Sequence, residues 1–103
     1  MQHIRIGQYQ VTAGTFEEVS ALAQAPGGMV DEFQASPGFV AYGLAEAGEG
    51  TFVSLSLWDT RADAESAAPA AAAWVREHVA DRVKLTSNTV ADLSFLAGEL
   101  VTA

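Results

Sequence analysis

Residues 36–60 read SPGFVAYGLAEAGEGTFVSLSLWDT, two apolar runs joined by a glycine-rich connection. Ser36-Pro37-Gly38-Phe39 has the composition of a turn, because proline presets φ and glycine supplies the positive φ that other residues avoid. Phe39 to Ala45 and Thr51 to Trp58 then read as strands, rich in aromatic and β-branched side chains. Glu46-Ala47-Gly48-Glu49-Gly50 is short enough to join them as a hairpin, and its glycines suit such a turn. Asp59-Thr60 follows with a helix cap, so the hairpin hands the chain to a helix. Phe52, Val53, Leu55 and Leu57 place apolar groups on both sides of the second strand, which predicts that both sheet faces are covered.

Upstream, Ile4 to Val11 alternate around Ile4, Ile6 and Val11 with Tyr9 on the opposite side, as in a half-buried strand. Thr15 and Glu18 have the S/T-x-x-E spacing that opens a helix, and Phe16, Val19, Leu22 and Ala23 give it an apolar face. Pro26-Gly27-Gly28 interrupts it, and a further turn or two follows with Met29, Val30 and Phe33 inward. Downstream, Thr60 caps a second helix through Ala62, Ala64, Ala67, Ala68 and the run Ala70 to Ala73. Pro69 either kinks that helix or opens a second segment of it. After Val83, the alternation of Leu85, Ser87, Thr89, Ala91, Leu93 and Phe95 predicts a long final strand.

The order is β-α-β-β-α-β, a ferredoxin-like α+β fold with a four-stranded antiparallel sheet and two helices on one face. A single domain is expected over residues 1–103, with no linker to divide it. A domain of this size buries only about two thirds of the surface of its unfolded chain. A homodimer formed sheet to sheet, a dimeric α+β barrel, would hide the face the helices leave open.

Composition excludes several functions. The chain has no cysteine, which removes disulfides, thiolate metal sites and thiol nucleophiles. Thirteen acids face only Arg5, Arg61, Arg76, Arg82 and Lys84, for a formal charge of −8, so the basic footprint that nucleic acid or an anionic membrane requires is missing. No apolar run approaches the roughly 20 residues of a membrane span and the amino terminus lacks a signal-peptide core, so a cytoplasmic protein is expected. His3 and His78 lie on different elements without an H-x-x-x-H or H-E-x-x-H pattern, and no G-x-S-x-G, P-loop or G-x-G-x-x-G motif is present. No metal and no cofactor are therefore expected.

His78 is the candidate catalytic residue. A helix projected from Ala71 puts Ala67, Ala68, Trp74, Val75, His78, Val79 and Arg82 on one arc, so the imidazole is expected to face inward as a general base. Its place near a helix end also suits a residue held by the helix dipole. Trp58 and Trp74 could wall an aromatic ligand or fill the core, and Tyr42 and Tyr9 could present hydroxyls to a ligand or sit on the strand surface.

The turn Pro37-Gly38-Phe39, the strand Ser54-Leu55-Ser56-Leu57-Trp58 followed by Asp59, and the helix Ala72-Ala73-Trp74-Val75-Arg76-Glu77-His78 resemble the antibiotic biosynthesis monooxygenase superfamily over residues 3–97. The resemblance implies a dimeric α+β barrel and a cofactor-independent oxygenase of a small phenol, anthrone or quinol, in which a base creates an electron-rich anion that itself reduces oxygen. In the polyketide branch it matches Trp58 to a site tryptophan, whereas Ser54, Ala64 and His78 stand where that branch has asparagine, tyrosine and arginine. In the haem-degrading branch His78 lies about one residue from the site histidine, but Ala67 replaces the tryptophan and Gly7 or Gln8 the asparagine, which disfavours haem degradation. The alternative is a non-catalytic small-molecule-binding or structural member.

Overall fold

A computed structural model describes residues 2–98. The elements run β1 (His3–Val11), α1 (Phe16–Gln24), α2 (Met29–Gln34), β2 (Phe39–Glu46), β3 (Thr51–Trp58), α3 (Arg61–His78) and β4 (Val83–Asp92). One antiparallel sheet has the order β2-β3-β1-β4, the ferredoxin-like arrangement. Pro26-Gly27-Gly28 interrupts the first helix as expected and the further turn or two forms as α2, so the described residues hold three helices rather than the two of the simple ferredoxin-like count. Conversely, α3 runs unbroken through Pro69.

The caps form as the sequence implies. Thr15 Oγ1 accepts the Glu18 N–H at 3.2 Å, and Thr60 Oγ1 accepts the Asp63 N–H at 3.1 Å. Arg82 donates to Glu18 Oε2 at 2.7 Å, tying the start of α1 to the entry of β4, and this bond above all holds the Glu18 carboxyl below its ordinary range. At the turn before α2, a Cβ on Gly28 would lie 2.5 Å from both the Leu22 and Ala23 carbonyl oxygens. Gly28→Ala is therefore expected to destabilise the fold by about 1–3 kcal/mol through crowding, read as a lower denaturant midpoint. An unchanged midpoint would show that the α1–α2 junction can open.

The sheet has an inverted pattern. Arg5, Gly7, Tyr9, Phe52, Ser54, Ser56 and Trp58 form the buried face under the helices. Ile4, Ile6, Val53, Leu55 and Leu57 point the other way and are only half-buried. Three helices pack on the first face, through Phe16 against Phe52, Phe33 against Trp58, and Ala71 and Trp74 above Tyr9 and Ser54. The polar side of β3 is thus the inner one, and the leucine side has no helix over it. The expected alternation of β4 breaks at Thr86, where a bulge leaves Gln8 opposite Ser87 but Tyr9 opposite Leu85. Thr86 Oγ1 donates to the Gln8 carbonyl at 3.0 Å. The bulge changes parity, so Asn88 on one side of it and Leu85 and Val83 on the other all face the helices. β4 ends at Asp92, not Phe95, although the Leu93 N–H still reaches the Gln2 carbonyl at 3.0 Å.

Candidate functional site

A cleft of about 460 Å³ lies between α3 and the β1–β4 half of the sheet. Its helix wall is made of Ala68, Pro69, Ala72 and Val75, with Ala80 just beyond, side chains that are short apart from Val75, which packs against the core. The parity change at Thr86 brings Val83, Leu85 and Asn88 to the sheet wall. Polar groups are few: Arg5, Tyr9 and Asn88 on the strands, and Arg76 on the helix. Walls of this kind, mostly apolar with a few polar groups, and a volume within the ~300–1,000 Å³ of ligand sites, make it the best candidate site.

Arg5 lies under this cleft, 1% exposed. Gly7 makes room for it, since a Cβ there would sit 2.9 Å from Arg5 Nη2 and 3.0 Å from Tyr9 Cε1. The guanidinium therefore lies over Gly7, where Nε donates to Asn88 Oδ1 at 2.6 Å and Nη2 to the Tyr9 hydroxyl at 3.4 Å. Nη1 is buried without a hydrogen-bond partner among the described residues. Arg5 and Asn88 are not among the candidates the sequence suggests, whereas Tyr9, expected to offer a hydroxyl to a ligand or sit on the strand surface, does line the cleft. The signal was present in Arg5-x-Gly7-x-Tyr9, where period two puts a cation, a glycine and a phenol on one face.

The residues singled out from sequence are dispersed. Tyr42 and Trp74 meet at a second, small cavity of about 30 Å³, also lined by Ser54, on the β2–β3 side of the helix. Tyr9, Val75 and Val83 separate it from the cleft by lining both. Burial above all pushes the Tyr42 hydroxyl up to about 12. Trp58 lines neither cavity and is enclosed by Phe33 and Phe39 at centroid distances of 5.3 and 5.6 Å.

His78 also lines neither cavity. It ends α3 with its side chain 47% exposed, its ring 5.0 Å from Trp74 and Nε2 3.8 Å from Glu77 Oε2. The helical projection gave its angle but not its axial position, and at the last residue there is little beneath it to face. Val79 already has a non-helical φ of −139°, so Arg82 cannot share the arc. His3, on the Arg5 side of β1, instead holds Asp92 at 2.7 Å. That bond, followed in effect by Arg61, keeps the Asp92 carboxyl below its ordinary range. Among the described residues no group of three or more His, Cys, Asp or Glu could hold a metal ion, and no helix is long and apolar enough to cross a membrane.

No protein-family model matches the sequence, and no curated protein is similar to it. Solved structures are similar in fold. The oxygenase SnoaB of Streptomyces nogalater, described as cofactor-independent, superposes with a TM-score of 0.71 at 15% identity, over 95% of this chain and 98% of that one, in a mutant form. A candidate antibiotic biosynthesis monooxygenase of Chloroflexus aurantiacus gives 0.67 at 14% identity, over 95% and 98% of the two chains. Rv0793 of Mycobacterium tuberculosis gives 0.67 at 18% identity, over 95% and 100%. The chain thus has the α+β fold of antibiotic biosynthesis monooxygenase structures.

Proposed function

We propose that this protein binds a small aromatic molecule in the cleft beneath α3 and oxygenates it without a cofactor, as a homodimer closed through the open sheet face. The observation that carries the reading is the cleft itself, apolar in its walls and polar at Arg5, Tyr9 and Asn88. The fold shared with a cofactor-independent oxygenase supports it. For an anthrone, loss of a proton from the CH₂ carbon gives a carbanion that reduces dioxygen and forms a C–O bond. Loss of water from the resulting hydroperoxide leaves a carbonyl, so one oxygen atom enters the product and the other leaves as water. The protein contributes mostly apolar walls and donors for the anion.

Among the described residues neither a carboxylate nor an imidazole lines the cleft. The substrate must then be acidic enough to ionise against the site's cations, and His78 has no proton to take there. The same observation favours a second reading, in which the cleft only binds its ligand. An oxygen electrode with an anthrone and a hydroquinone separates the two. One oxygen consumed per anthrone oxidised above the buffer rate supports the oxygenase, and a rate equal to buffer with ligand still bound supports the binding module. His78→Ala is expected to leave uptake within about twofold and to cost no more than about 1 kcal/mol of stability, as for an exposed helix-end residue. Loss of uptake on that substitution would restore His78 as the base.

A further inference from the structure

We infer that the cleft beneath α3 is an organic-anion site whose deepest contact is Arg5, so that its ligand is an aromatic molecule bearing a carboxylate or an equally acidic oxygen. The inference takes from the proposed function only the location of the ligand, and anion binding there holds with or without oxygen chemistry.

Three observations converge on it. The first is an uncompensated charge. An arginine is always protonated, and a buried one is normally paired with an anion, because desolvating a lone cation is costly. Arg5 is buried, yet no carboxylate among the described residues forms an ion pair with it. Its contacts are an amide oxygen and a phenol, and Nη1 has none.

The second is the distribution of charge. The chain has thirteen acids and five cations, but among the described residues the cleft is lined by two of those cations, Arg5 and Arg76, and by no acid. Arg61 and Arg82 are occupied with carboxylates elsewhere. In a protein of net charge −8, this local reversal of sign attracts an anion to a surface that otherwise repels it.

The third is the construction around the guanidinium. Gly7 leaves the space it occupies, and Asn88 fixes Nε at 2.6 Å. An asparagine holds the head group without neutralising it, where an aspartate in the same place would have cancelled the charge. The nearby apolar walls then suit the rest of an aromatic acid.

Fluorescence titration with 9-anthracenecarboxylate and its neutral carboxamide tests the assignment on the full-length protein. The wild-type protein is expected to bind the carboxylate at least about tenfold more tightly, with an affinity that falls as salt rises. Arg5→Met should bring the ratio to about one while leaving the carboxamide affinity unchanged. Asn88→Asp, close in shape, supplies an internal counter-ion, so it should abolish the preference and also raise the melting temperature; this variant decides the matter if Arg5→Met does not fold. Arg76→Met, at an exposed residue, should weaken the carboxylate by less than about twofold. Equal affinities in the wild type, no binding of either probe, a preference that survives Arg5→Met or Asn88→Asp, or one removed by Arg76→Met alone would each overturn the assignment. Oxygen uptake is scored separately: anion preference without uptake removes the oxygenase and keeps this site, and uptake without anion preference does the reverse.

Discussion

Trp58→Ala is expected to lower stability by about 3–5 kcal/mol, the range for removing a large aromatic from a packed core. For a domain of typical stability, about 5–15 kcal/mol, that is a large share of the whole. Trp58 is 1% exposed and closes the end of β3, where it is paired with His3 on one side and Phe39 on the other. Phe33 meets its ring edge-on at an interplanar angle of 86° and Phe39 at 74°, so one indole joins α2, β2 and β3. Such edge contacts add about 0.5–1.5 kcal/mol each beyond the area they bury. The indole N–H has no partner among the described residues, so little hydrogen bonding is lost with it. Trp58→Phe, which keeps a ring against both neighbours, should lose much less. Chemical denaturation of the three proteins measures this. A near-native midpoint for Trp58→Ala, combined with lost binding of an aromatic probe, would return Trp58 to the ligand site.

Leu55→Arg should convert the proposed dimer to a monomer, weakening association by at least about a hundredfold, because it puts an unpaired charge at the centre of an apolar contact. Leu55 lies opposite Ile6 on β1 and Gly43 on β2, in the middle of the face the helices leave open. Ile4, Val53 and Leu57 surround it on the same side. A monomer would leave this patch in water, and contiguous apolar surface of that kind marks an interface. Light scattering over a wide concentration range reads the mass of both proteins. A wild type of monomer mass at micromolar concentration removes the dimer, and an unchanged dimer in Leu55→Arg moves the interface elsewhere.

Much of the fold was legible from local chemistry. The glycine positions of the β2–β3 hairpin, the caps Thr15 and Thr60, and the interruption at Pro26-Gly27-Gly28 all act over a few residues, and each one formed where the sequence implied. The number of strands and their antiparallel order followed from them. Legibility ended where position depends on more than one element. Leu55 and Leu57 read as apolar residues of a covered sheet, but which face the helices cover is decided by packing, and that choice put Ser54, Ser56 and Arg5 inside. The helical angle of His78 was readable, whereas its exposure depends on where α3 ends relative to the sheet. The site shows the same division. Arg5, Gly7 and Tyr9 share a face by period two alone, so the sequence by itself determined their alignment. Asn88 joins them from 83 residues away only because β4 pairs beside β1 in this register, with a bulge at Thr86 that no local propensity announces. The cleft above them lies between the alanine-rich wall of α3 and the sheet, and the width of a gap between two elements is a property of tertiary packing.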